Sequence, residues 1–156
     1  MSDSQGGCNR GAKAALENGS EVLLFLNNDA RVSPSDLERL AETVESGRYG
    51  VAGGVNYQPS MPEKVFSAGQ RFLWLICRIQ RVSSLPPSDA PQQVPIVIGS
   101  CFAIHRRVFE KIGFLDERFF IYYEEADLCL RAKEGGFGVA YHPQVKVLHG
   151  TRRGLR

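Results

Sequence analysis

The chain has 156 residues, 43% of them hydrophobic, 10% aromatic and 23% charged; the length suits one globular domain, and the apolar content excludes intrinsic disorder. Lys and Arg number 19 against 17 Asp and Glu, a net charge of +2, which is too balanced for nucleic acid to be the principal ligand. Cys8, Cys77, Cys101 and Cys129 are far apart and form no C-x-x-C pair, which argues against a disulfide scaffold, a zinc site or a redox dithiol.

Residues 9–17 read as a short helix, with Ala12, Ala15 and Leu16 on one face and Asn18–Gly19 as its stop. Residues 21–27, EVLLFLN, are a continuous apolar run, the pattern of a strand covered on both faces. Ser33 and Pro34 then open a second helix whose apolar face is Leu37, Leu40, Ala41 and Val44. A second strand is expected over 49–55, giving the order of an α/β layered domain.

Residues 56–95 hold six of the eight prolines and read as irregular, with an exposed loop over 83–95. Within them FLWLICRI (72–79) is helix or strand, a core or flap element that also offers a membrane-surface or partner patch. Residues 96–104 read as a buried strand interrupted at Gly99–Ser100, and 106–112 as a helix stopped by Gly113. An aromatic stretch (119–123) leads into a helix over 124–133, and two short strands, 137–141 and 145–149, flank His142–Pro143.

Three places could carry chemistry. Asp29 leaves a hydrophobic strand at its carboxyl end, where open α/β sheets bind ligands and where a carboxylate can hold a divalent cation against a diphosphate; Asn27–Asn28–Asp29 is equally ordinary turn chemistry. Glu124, Glu125 and Asp127 crowd the start of a helix, where carboxylates raise one another's proton affinity as a general base requires and also offset the helix dipole. His149 ends the last strand and is a possible metal ligand or a polar strand end. The excess of Arg over Lys suits an anionic substrate, although base composition also produces such a bias.

Three blocks in order, GGCNRGAKAAL…EVLLFLNNDARVSPSDLERL, VIGSCFAIHRRVFEKIGFLDERFFIYYEEADLCLRAKEGGFGVAYHP and VKVLHG, together resemble the second half of a family 2 glycosyltransferase, most like the rhamnosyltransferase-type members. The resemblance implies a GT-A fold: a truncated, Rossmann-like three-layer α/β domain with a mostly parallel mixed sheet. It implies transfer of a sugar, with inversion, from a nucleotide-diphosphate donor to a saccharide or lipid-linked acceptor, assisted by Mn²⁺ or Mg²⁺. By the same resemblance Asp29 matches the last Asp of the family's DxD motif, with Asn27 at its first position, and His149 completes the metal site. Glu124 and Glu125 match the ED pair, Glu125 as base in place of the usual Asp. Asn27, Asn28, Gly99, Ser100, Asp127 and Arg131 make up the donor- and acceptor-binding set, Asp127 and Arg131 also holding the helix in place.

Family members open with strands that read the nucleotide base, and no such segment is visible before residue 9. The expectation is therefore a catalytic-half domain over 1–150 with a basic tail over 151–156. The alternative is a non-catalytic remnant acting as a binding or assembly module. A nucleic-acid role would rest on Arg152, Arg153 and Arg156 alone. Losing leading strands leaves a sheet edge open, so self-association through that edge is expected. No apolar stretch approaches the roughly 18–20 residues of a membrane span, and the expected location is cytoplasmic, at most peripheral to a membrane.

Overall fold

A computed structural model describes residues 4–73, 75, 78–119 and 123–150. Its elements in chain order are α1 (Ser4–Glu17), β1 (Val22–Leu26), β2 (Ala30–Arg31), α2 (Pro34–Glu45), β3 (Tyr49–Gln58), β4 (Met61–Ser67), β5 (Gln70–Leu73), β6 (Arg78–Arg81), β7 (Gln92–Gln93), β8 (Cys101–His105), α3 (Arg106–Ile112), α4 (Glu124–Glu134) and β9 (Gly138–His149). A seven-stranded sheet runs β1-β8-β3-β9-β2, with β4 added to β3 and β7 to β9, while β5 and β6 form a separate hairpin.

The period-two alternation of the central strands builds three layers. Phe102 and Ile104 of β8 and Val51 and Val55 of β3 join one apolar cluster with Val108, Phe109, Leu128 and Cys129 of α3 and α4. Cys101, Ala103 and Ala52 face the other way, against Leu40 and Val44 of α2. Each fully buried aliphatic side chain contributes about 1.5–3 kcal/mol. Cys101 and Cys129 are buried thiols, as expected, and burial pushes their pKa values up to about 11 and about 12.

The α2 cap is the one read from sequence: the Ser33 hydroxyl accepts from the Asp36 N–H, and Pro34 begins the helix. The α1 helix starts earlier than its apolar spacing predicts. Gly6, Gly7 and Gly11 count against it on propensity, but buried Asn9 offsets them. Its side-chain amide donates to the Leu115 carbonyl at 2.9 Å and its oxygen accepts from the Leu115 N–H at 3.1 Å.

Four expectations are corrected. The sheet is mixed, but β3–β9 is its one parallel pairing among the described strands, and the others are antiparallel. Strand β1 is covered on one face only: Leu23 and Phe25 join the α3/α4 cluster, whereas Leu24 and Leu26, on the α2 side, are 42% and 49% exposed. They pair with Ala103 and Cys101, while Val22 on the same face packs against the cluster that contains Leu40 and Val44 of α2. Residues 56–95 are largely ordered, because β4 through β7 pair within them and with the sheet. The last two strands are one. The ladder steps from Gly54↔His142 to Val55↔Lys146, so Pro143 sits in a bulge where its missing N–H breaks no pairing.

β3 can pass close to β9 because it carries glycine. A Cβ on Gly54 would stand 2.6 Å from Val147 Cγ2 and 2.7 Å from Val145 Cγ1. The basic tail, Cys77 and residues 120–122 of the aromatic stretch lie outside the described residues. Among the described residues no helix is long and apolar enough to cross a membrane.

Candidate active site

The carboxyl end of β1 and the end of β9 meet through β2. The Asn27 N–H donates to the Ser100 carbonyl at 2.9 Å, and the Ala30 N–H closes the turn on the Asn27 carbonyl at 3.0 Å. Ala30 then pairs with His149. This register brings His149 Nε2 to 3.1 Å from Asp29 Oδ1, with Asn27 Nδ2 3.4 Å from the same nitrogen. The ring nitrogen can donate to the carboxylate or accept from the amide, according to its protonation.

The α4 carboxylates approach from the opposite side. Tyr123, at φ 72, is the one non-glycine residue of positive φ among those described. It turns the chain into α4 with no side-chain cap. A left-handed non-glycine residue is uncommon, and such residues cluster at functional sites. The turn places Glu124 and Glu125 in a cavity of about 180 Å³ with Cys8, Phe25, Leu26, Asn27, Gly99, Phe102 and Leu115. Glu124 Oε2 is buried there with no hydrogen-bond partner among the described residues. Such an orphaned acceptor costs stability unless something donates to it.

Glu125 has its titration shifted by its surroundings. Burial, seconded by the Glu124 charge, raises its pKa, while hydrogen bonds from the N–H groups of Glu125, Gly99 and Ala126 partly oppose the rise. Gly99 allows this approach, since a Cβ there would lie 3.3 Å from Glu125 Cδ. The next residue is fixed from behind, because the Ser100 hydroxyl donates to the buried Asn56 amide oxygen. Neither Asn56 nor Tyr123 stands out in the sequence; the signal for each is tertiary.

Asn27, Asp29, His149, Gly99, Ser100, Glu124 and Glu125 thus lie at one end of the sheet, with Asn27 touching both halves of the group. Three expected residues stand apart. Asn28 is exposed in the turn. Arg131 spends its guanidinium on Asp127 at 2.7 Å and on the Ile112 and Phe114 carbonyls at 3.0 Å each. The Asp127–Arg131 pair therefore ties α4 to the end of α3.

Asp29 and His149 also form a candidate cation site. Among the described residues no three His, Cys, Asp or Glu side chains gather around one point. One carboxylate and one imidazole nonetheless fit Mn²⁺ or Mg²⁺ that takes its remaining ligands from water and phosphate oxygens.

Residues 3–113 match the family model described as glycosyl transferase family 2. The chain belongs to this family. It is 29% identical over 155 residues to the low-salt glycan biosynthesis hexosyltransferase Agl10 of Haloferax volcanii, covering 92% of this chain and 47% of that protein. It is 25% identical over 146 residues to the dTDP-rhamnosyl transferase RfbF of Shigella flexneri, covering 90% and 46%. The chain therefore spans about half the length of these relatives. A solved structure of GalNAc-T7 with UDP, GalNAc and Mn²⁺ superposes with a TM-score of 0.69 at 18% identity, covering 90% of this chain and 30% of that one. The fold is accordingly GT-A. Membership in a family whose similar members are transferases does not favour the reading as a non-catalytic remnant.

Proposed function

We propose that this chain carries the catalytic end of a sugar transferase. In this reading Glu125 takes the proton from an acceptor hydroxyl while that oxygen attacks the anomeric carbon of a nucleotide-diphosphate sugar. The bond to the leaving diphosphate breaks on the opposite face, so the configuration inverts and no covalent enzyme intermediate is needed. The observation that carries the reading is the position of Asn27, which lines the Glu124–Glu125 cavity and also reaches the Asp29–His149 pair. A base and a diphosphate-side anchor then lie within one substrate's span.

Glu125 suits the part because its desolvated carboxyl holds a proton more tightly than an exposed one. Asn27 and the unpartnered Glu124 oxygen supply polar groups for donor hydroxyls. Asp29 and His149 would hold Mn²⁺ or Mg²⁺, which when bound neutralises charge on the departing phosphate. The acceptor is a saccharide or a lipid-linked glycan. The whole unit is read as one catalytic-half domain over 1–150, working in the cytoplasm or at a membrane surface. The open β1 edge is read as a site of self-association.

Calorimetry with Mn²⁺ and a nucleoside diphosphate tests the anchor. Asp29→Ala is expected to weaken metal-dependent binding at least tenfold, and equal binding by both proteins would remove Asp29 from the site.

A further inference from the structure

We propose that Asn56 is a positioning residue for the site: through Ser100 it holds a short stretch of backbone, residues 99–100, that grips the Glu125 carboxylate on one side and the Asn27 turn on the other. The inference rests on the transferase reading of Glu125. It adds the group that sets where the proposed base and the diphosphate-side anchor stand relative to each other.

The stretch lies where one strand pairing gives way to another. The antiparallel register of β3 with β8 runs from Val51↔Ile104 to Gly53↔Phe102 and ends there. Further along, β3 pairs with β4 instead, beginning at Asn56↔Ser67. Residues 99–100 come just before β8, beyond the last rung of the β3–β8 ladder. The Ser100 hydroxyl, donating to the Asn56 amide oxygen, ties them to β3 by side chains where the backbone register has stopped.

The tie is buried and its far end is held. Asn56 and Ser100 are each 2% exposed. The Asn56 amide nitrogen donates to the Gly54 carbonyl at 3.4 Å, so both ends of the amide are engaged. Asn56 also pairs with Val147 of β9, the strand that ends at His149.

Two bonds lead from this stretch into the site. The Gly99 N–H donates to the Glu125 carboxylate. The Ser100 carbonyl accepts from the Asn27 N–H at 2.9 Å, and Asn27 reaches His149. A displacement of residues 99–100 therefore moves both halves of the site. Apolar side chains at 56 and 100 would fill the same space, but their contacts have no direction; a buried and partnered polar pair selects one arrangement.

The test is NMR of the isotope-labelled full chain. In the wild type the Gly99 amide proton is expected to shift as Glu125 ionises and to stop doing so in Glu125→Gln. Glu124 and Cys8 line the same cavity, and that control separates their titration from that of Glu125. Asn56→Leu and Ser100→Ala are each expected to halve the Gly99 shift at least, and to speed exchange of the Asn27 N–H about tenfold. Each single change strands a buried partner and lowers the melting temperature. The variant carrying both changes decides between positioning and mere stability, because removing both partners of a hydrogen bond can be nearly neutral. It is expected to melt close to the wild type and still show both amide changes. Amide signals that return to wild type in the double variant, or that never move in Asn56→Leu, would overturn the positioning, as would a Gly99 amide that ignores Glu125 in the wild type. Should either single variant unfold, the amides of the double variant decide alone. These signals are read without turnover, so transfer that survives Glu125→Gln would sink the transferase reading separately.

Discussion

The proposed role of Glu125 as a base gains from desolvation, and Glu125 bears the cost of that environment in stability. Its proton is favoured by the folded state. The stability this group supplies is therefore complete below the ordinary glutamate range, about 4.3, and is lost as pH rises through the raised value. Glu125→Gln is expected to lower transfer by roughly 10²–10⁴-fold yet to melt higher than the wild type at pH 7. The melting gap should close as pH falls below about 4; melts and initial rates across pH measure both. Gly99→Ala pushes a methyl group to 3.3 Å from the Glu125 carboxyl carbon and is expected to slow transfer roughly tenfold with the melt nearly unchanged. At this scale the sequence singles out polar residues that stand at strand and helix ends. Asp29, Glu124, Glu125 and His149 could be picked out by type and position.

Among the elements, helices were read more faithfully than strands. Ser33 and Pro34 mark the start of α2, and Gly113 the end of α3, by local chemistry alone. A short apolar run such as FLWLICRI has no length to separate helix from strand; Phe72 and Leu73 end β5, and Arg78 and Ile79 begin β6. The sequence alone divides β9 at Pro143, since the bulge that accommodates a proline depends on the parallel register with β3. That register rests on close packing at Gly54. Gly54→Ala forces a methyl group against Val145 and Val147, and urea unfolding is expected to give a loss of about 1–3 kcal/mol.

For the molecule as a whole, the layers were legible because alternating strands and amphipathic helices have few ways to pack. The proportion of parallel pairing was not, since strand direction is set by connections rather than by composition. Among the described strands the same topology leaves β1 bonded to β8 alone, with Leu24 and Leu26 partly exposed. Edge strands with apolar faces recruit further strands, and sedimentation at rising concentration is expected to show association that Leu26→Lys reduces. A clean monomer at high concentration would count against it. A last consequence concerns the proposed base. Backbone amides on α4 and at Gly99 tether the Glu125 carboxylate, so it has little freedom to swing toward whatever arrives. Under the proposed function, discrimination among acceptors falls to the surfaces that steer a hydroxyl to a stationary Glu125, and altering those surfaces is expected to change the acceptor used without changing the proton chemistry.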